Sequence, residues 1–129
     1  MKRMLDTLFN KEKDSRKEGR WKEFNKHGVL ISVGNYHHDQ KHGQWFEYYD
    51  TGELVLEENY QHGIPHGRYA TYHLNGTLFS EGTYVNGSRE GYFKVYDENG
   101  IHIKSLLFVN NDLVEEAVME GDVPIASAN

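Results

Sequence analysis

Residues 43–66 read "GQWFEYYDTGELVLEENYQHGIPH", and the next 24 read "GRYATYHLNGTLFSEGTYVNGSRE". In both, aromatic and β-branched residues form short runs, and clusters of Gly, Asn, Asp and His break those runs. Short β-prone runs bounded by turn residues predict strands rather than helices. The pattern also returns at a fixed stride of 24 residues, which marks a stack of equivalent units. Glycines recur at Gly19, Gly43, Gly67 and Gly91, and again at Gly28, Gly52, Gly76 and Gly100. Aromatics follow at Trp21, Trp45, Tyr69 and Phe93, at Phe24, Tyr48, Tyr72 and Tyr96, and at Tyr36, Tyr60, Tyr84 and Phe108. Leu30, Leu54 and Leu78 make a further column, which His102 interrupts. Four units result: 19–42, 43–66, 67–90 and 91–114.

Each unit predicts a β-hairpin. The turn dipeptides are His27-Gly28, Thr51-Gly52, Asn75-Gly76 and Asn99-Gly100, and Asn-Gly favours a two-residue type I′ turn. A two-residue turn sets Phe24 opposite Ile31, Tyr48 opposite Val55, Tyr72 opposite Phe79 and Tyr96 opposite Ile103. It also sets Trp21 opposite Gly34, Trp45 opposite Glu58, Tyr69 opposite Gly82 and Phe93 opposite Leu106. A bare glycine in such a pair lets a ring lie across the backbone. The joins "HHDQKH", "QHGIPH" and "VNGSRE" are polar and turn-rich. Hairpins laid side by side then form a meander of eight strands, with equivalent residues stacked in columns.

The stretch "GQWFEYYDTGELVLEENYQHG" resembles MORN repeats, and more closely the MORN variant of bacterial YwqK-like antitoxin proteins. The resemblance covers residues 19–114. It implies an all-β fold: an elongated, single-layer antiparallel meander of four stacked hairpins. The antitoxin likeness implies a protein that docks on a cognate toxin and blocks it sterically. The fourth unit departs from the pattern at His102 and Asn111 and reads as an irregular end cap.

The ends lack the repeat. In residues 1–18, Met1, Met4, Leu5 and Leu8 follow helical spacing. They predict a short N-terminal capping helix, with a partner-binding helix or disorder as alternatives. "DLVEEAVME" fits a closing strand or a short helix, "GDVPIASAN" reads as a flexible tail, and residues 115–129 together read as an acidic C-terminal tail.

Charge narrows the function. The net charge of −6 disfavours nucleic acid and anionic membranes and favours a basic partner. Cysteine is absent, which excludes disulfides, thiolate metal sites and thiol nucleophiles. The opening "MKRMLDTLFNKEK" has no apolar run of signal length, and a cytoplasmic location is the simplest expectation. A hydrophobic content of 37% with 13% aromatics suits a thin sheet of amphipathic rings better than a thick aliphatic core.

Candidate chemistry is sparse. His38/His42 and His62/His66 repeat by unit in the joins. Equivalent turns about 10 Å apart cannot share one ion, and two histidines of one loop lack a third ligand. Glu57 and Glu58 point to opposite faces of a strand. Ser80 and Ser105 lie outside any nucleophile motif. The expectation is therefore no catalytic residue, no cofactor and no metal ligand. Recognition remains. Asn25, Tyr49, His73 and Asp97 form a varied column beside the aromatic one, and Trp45, Tyr49, Tyr69 and His73 are the candidate partner-binding surface. The expected function is a non-catalytic protein-binding module, an antitoxin or immunity protein whose partner is a basic toxin. A structural scaffold or membrane-peripheral protein is the alternative. Open sheet edges also permit edge-to-edge homodimers.

Overall fold

The computed structural model describes residues 16–127. The strands are β1 (Gly19–Phe24), β2 (Leu30–His37), β3 (Gln40–Tyr48), β4 (Leu54–Gln61), β5 (Ile64–Pro65), β6 (Gly67–Tyr72), β7 (Leu78–Val85), β8 (Ser88–Tyr96), β9 (His102–Val109), β10 (Asp112–Glu120) and β11 (Val123–Ser127). They form one antiparallel sheet in chain order, with the short β5 pairing only β4. The all-β meander expected from the repeats is present. Residues 16–18 carry no helix, and the rest of the expected helix over 1–18 lies outside the described residues.

The turns inside and between units exchange the roles the sequence suggested. Within a unit, the Asn25 N–H donates to the Val29 carbonyl and the Gly28 N–H to the Asn25 carbonyl. The same pair of bonds closes the turns at Tyr49, His73 and Asp97. Only the glycine of each turn has positive φ. This is a three-residue loop, a type I turn followed by a glycine bulge, and not the predicted type I′ turn. The bulge shifts the register by one residue near the tip. Phe24 therefore faces Leu30, Tyr48 faces Leu54, Tyr72 faces Leu78 and Tyr96 faces His102, rather than Ile31, Val55, Phe79 and Ile103. Further from the tip, Trp21↔Gly34, Trp45↔Glu58, Tyr69↔Gly82 and Phe93↔Leu106 stand as expected.

The two-residue turns with positive φ at both positions lie between units: His38-Asp39, His62-Gly63, Asn86-Gly87 and Asn110-Asn111. All four place a non-glycine residue with a polar side chain in the left-handed region at the first position, and two of them at the second as well. A strap holds each such turn. Asp39 N–H donates to the Lys17 carbonyl, Gly63 to Lys41, Gly87 to Pro65 and Asn111 to Arg89.

The unit-starting glycines have a separate task. Between β2 and β3 the pairing jumps from Val33↔Phe46 to Asn35↔His42, so Gly43–Trp45 bulges opposite Gly34. Between β7 and β8 it jumps from Glu81↔Lys94 to Thr83↔Glu90, and residues 91–93 bulge opposite Gly82. Gly43 and Gly91 supply the positive φ these bulges need. The bulge throws the next unit's ring across the bare glycine. A Cβ on Gly34 would meet Trp45 at 2.1 Å, and one on Gly82 would meet Phe93 at 2.4 Å. The rings covering these glycines therefore come from the following unit, not from Trp21 and Tyr69, the cross-strand partners of those glycines.

Residues 115–127 are not a loose acidic tail. β10 pairs β9 and β11 pairs β10. β10 occupies the position, one stride on, that β8 occupies in the fourth unit. Its glycine and rings are replaced by Glu115, Ala117 and Glu120, which hid it from the repeat pattern. The fourth unit is consequently internal and not an end cap.

Candidate functional site

One face carries a row of rings. Trp21, Tyr36 and Trp45 contact edge-to-face at 5.7 and 5.1 Å. Tyr69, Tyr84, Phe93 and Phe108 continue the row, with Phe93 and Phe108 5.3 Å apart. Cations lie over the rings: Lys17 over Trp21 and Tyr36, Lys41 over Trp45 and Tyr60, and Arg89 over Phe108. Such contacts contribute about 0.5–1 kcal/mol each when exposed. In the second unit Glu58 replaces the glycine under the ring and accepts the Tyr60 hydroxyl proton. Burial first, and then Glu58, push the Tyr60 phenol up; burial and then the neighbouring Tyr84 do the same for Tyr69.

The four residues expected to bind a partner fall in two places. Trp45 and Tyr69 belong to the ring row. Trp45 is 5% exposed, and its Nε1–H donates to the Asn35 carbonyl. Tyr49 and His73 belong to the hairpin tips. The Tyr49 hydroxyl donates to the Tyr72 carbonyl, and His73 Nε2 donates to the Tyr96 carbonyl, each one unit ahead. Asn25 and Asp97 occupy the same column, and their Oδ1 atoms cap their own turns. The variation in this column thus has a structural cause: the residue ties down its own turn or reaches to the next.

The exposed apolar side chains point to a neighbouring surface. In a meander the four within-unit turns share one long edge. Along it Phe24, Leu74, Phe79, Ile101 and Ile103 are exposed, and Phe79 stacks on His73 at 4.5 Å. Carboxylates of Asp50, Glu53, Asp97 and Glu98 lie on the same edge, alongside Lys26. Sequence reading missed this edge because the predicted register put Phe79 and Ile103 in cross-strand pairs with Tyr72 and Tyr96.

A second feature sits on β8–β11. Tyr92, Lys94, His102, Ser105, Met119 and Asp122 line a cavity of about 410 Å³. Ser105 Oγ is 2.9 Å from His102 Nε2, and His102 Nδ1 is 3.4 Å from Asp122 Oδ1. The order Ser–His–Asp invites comparison with a nucleophilic triad. The Lys104 carbonyl, 3.0 Å from the same Nε2, argues against that chemistry. A carbonyl oxygen only accepts, so Nε2 carries a proton and cannot take one from Ser105. In that tautomer Nε2 does not serve as the base for Ser105. Its buried Nδ1 has no hydrogen-bond partner among the described residues.

No curated protein matches the chain. The family model described as "MORN repeat variant" matches four times, at residues 17–38, 41–62, 65–86 and 89–110, which together exceed half of the chain. These matches keep the 24-residue stride and begin two residues before the units drawn from the glycines, so each includes the strap residue Lys17, Lys41, Pro65 or Arg89. The chain belongs to the MORN repeat variant family.

Proposed function

We propose that this protein is a non-catalytic protein-binding module that captures a basic partner along its hairpin-tip edge. The observation that carries this reading is the combination of Leu74, Phe79, Ile101 and Ile103 with the carboxylates of Asp50, Glu53, Asp97 and Glu98 on one edge. Exposed apolar groups beside a single sign of charge suit a protein interface: the apolar part supplies affinity and the charge speeds encounter. A single-layer sheet also leaves its surface unclaimed. Among the described residues no large side chain is fully buried. The resemblance to YwqK-like antitoxins supports a finer version, in which the partner is a cognate toxin sterically blocked by the bound sheet.

The test is co-expression with the product of the adjacent gene. Co-purification, rescue from its toxicity, and loss of both in a Leu74→Ser/Ile101→Ser double variant are expected. Absence of a complex and of rescue overturns the antitoxin version. Salt-sensitive flotation with anionic vesicles overturns the protein-binding reading in favour of a membrane-peripheral one. Among the described residues no helix is long and apolar enough to cross a membrane.

A further inference from the structure

We propose that Glu18, His37 and His38 form a binding site for a late first-row divalent cation, Zn²⁺ or Ni²⁺. Their donor atoms all lie within 4.8 Å of one another. His37 Nδ1 is 3.6 Å from Glu18 Oε1, and His38 Nδ1 is 3.4 Å from Glu18 Oε2. Tetrahedral bonds of about 2.1 Å place neighbouring donors roughly 3.4 Å apart. The two imidazole–carboxylate separations, one to each Glu18 oxygen, are close to that value, and rotations of the exposed side chains bring one oxygen and both imidazoles around an ion. Two imidazoles and one carboxylate suit Zn²⁺ and Ni²⁺, whereas Mg²⁺ and Ca²⁺ require mostly oxygen donors.

The third donor is what the sequence could not supply. His37 and His38 are adjacent in one turn, and Glu18 precedes them by about twenty positions. The strap brings it in. Asp39 N–H donates to the Lys17 carbonyl, Lys17 N–H donates to Asp39 Oδ1, and His38 N–H donates to Glu18 Oε2. Every unit repeats the bond from the turn N–H to the strap carbonyl, so the strap that carries Glu18 over the turn belongs to the fold.

The same repetition separates what the fold requires from what it does not. The position of Glu18 is filled by His66 and Glu90 in later units, and each accepts the N–H of the following turn: Asn86 N–H to His66 Nδ1, Asn110 N–H to Glu90 Oε2. In the second unit His42 stands at this position and accepts no such bond among the described residues, so an acceptor recurs in three of the four units. The turn does not demand two histidines: position 37 becomes Gln61, Val85 and Val109, and position 38 becomes His62, Asn86 and Asn110. Only the first unit combines a carboxylate with two histidines. Arg16 Nη1 stands 3.4 Å from His38 Nδ1 and has to swing aside for an ion.

The experiment is isothermal titration of the tag-free full chain with zinc chloride, with magnesium chloride as control. One zinc per chain in the micromolar range is expected, with no heat from magnesium. His37→Gln and His38→Asn borrow residues the chain itself uses at equivalent positions, so the turn is kept. Each is expected to weaken binding at least tenfold at an unchanged melting temperature without metal. Arg16→Ala is expected to tighten it, and His62→Asn to leave it unaltered. No binding at millimolar zinc, or wild-type affinity in both His37→Gln and His38→Asn, overturns the site. So does loss of binding in His62→Asn alone.

Discussion

Gly34→Ala tests the architecture at its tightest contact. Gly34 has ordinary extended backbone, with no φ in the left-handed region. On conformational grounds alone, alanine there stabilises by about 0.4–1 kcal/mol, because it restricts the unfolded chain. Packing has the opposite sign. The new Cβ falls 2.1 Å from Trp45 Cδ2 and 2.3 Å from Cε2, whereas carbons rest about 3.5–4.0 Å apart. The indole must lift by more than an ångström. Lifting breaks the 3.0 Å bond from Nε1 to the Asn35 carbonyl, worth about 1 kcal/mol. It also wets a ring that is now 5% exposed. A tryptophan buries about 150–250 Å², or about 4–6 kcal/mol at 25 cal/mol per Å², and losing half of that is about 2–3 kcal/mol. The net expectation is a destabilisation of about 2–3 kcal/mol. Urea denaturation followed by tryptophan fluorescence measures it, with a red-shifted native emission as the sign of ring exposure. Gly82→Ala under Phe93 is expected to behave alike. Glu58→Ala, at the position already bearing a Cβ, is expected to stay within about 1 kcal/mol. If Gly34→Ala is as stable as the parent chain, the ring is not seated on that glycine and the bulge explanation of Gly43 fails with it.

His66→Ala removes the acceptor for the Asn86 N–H and is expected to cost about 0.5–1.5 kcal/mol in thermal or chemical melts; His66→Glu, which copies Glu18 and Glu90, is expected to restore most of it. Burial first, and then the hydrogen bond to Glu81, push the Tyr96 phenol up to about 12, so the folded chain stays protonated where the unfolded chain ionises, near pH 10. Stability is therefore full below about pH 10 and declines towards pH 12, and urea midpoints across that range are expected to fall less steeply in Tyr96→Phe. Removing residues 112–129 uncovers the edge of β9 and the buried Phe108 and His102; dimers or larger species are expected in analytical ultracentrifugation, and a stable monomer would show that β10 and β11 do not protect this edge.

The fold was legible because the constraint repeats. A glycine required once is ambiguous, but Gly19, Gly43, Gly67 and Gly91 at one stride leave little besides a stack of hairpins. What could not be read was how each glycine is used. Asn75-Gly76 and Asn99-Gly100 fit a two-residue turn by composition, yet the chain closes there with three residues, and the extra one moves Phe79 and Ile103 out of their expected pairs. His38-Asp39 hid a two-residue turn because neither residue is glycine. β10 was legible only as one of two alternatives, a closing strand or a short helix, because its glycine and aromatic columns lapse to Glu115 and Ala117. Of the candidate surface, the tip location of Tyr49 and His73 was legible. The burial of Trp45 was not, since it depends on a bulge in the preceding pair of strands.

The one-dimensional order of the sheet sets how its two proposed sites relate. Each strand packs chiefly on its neighbours in the strand order, so a perturbation reaches a distant unit mainly through the interfaces between. The cation site occupies a join at the first unit, and the apolar tip residues belong mainly to the third and fourth, on the opposite long edge. No strand carries residues of both. An ion at Glu18, His37 and His38 therefore stabilises the strap and the β2–β3 turn while leaving Leu74, Phe79 and Ile101 where they are. Saturating zinc is expected to raise the melting temperature and to alter partner affinity at the tips by less than twofold, about 0.4 kcal/mol. A larger change in affinity, with the His37→Gln variant unresponsive, would mean that the hairpins move as one body rather than as coupled neighbours.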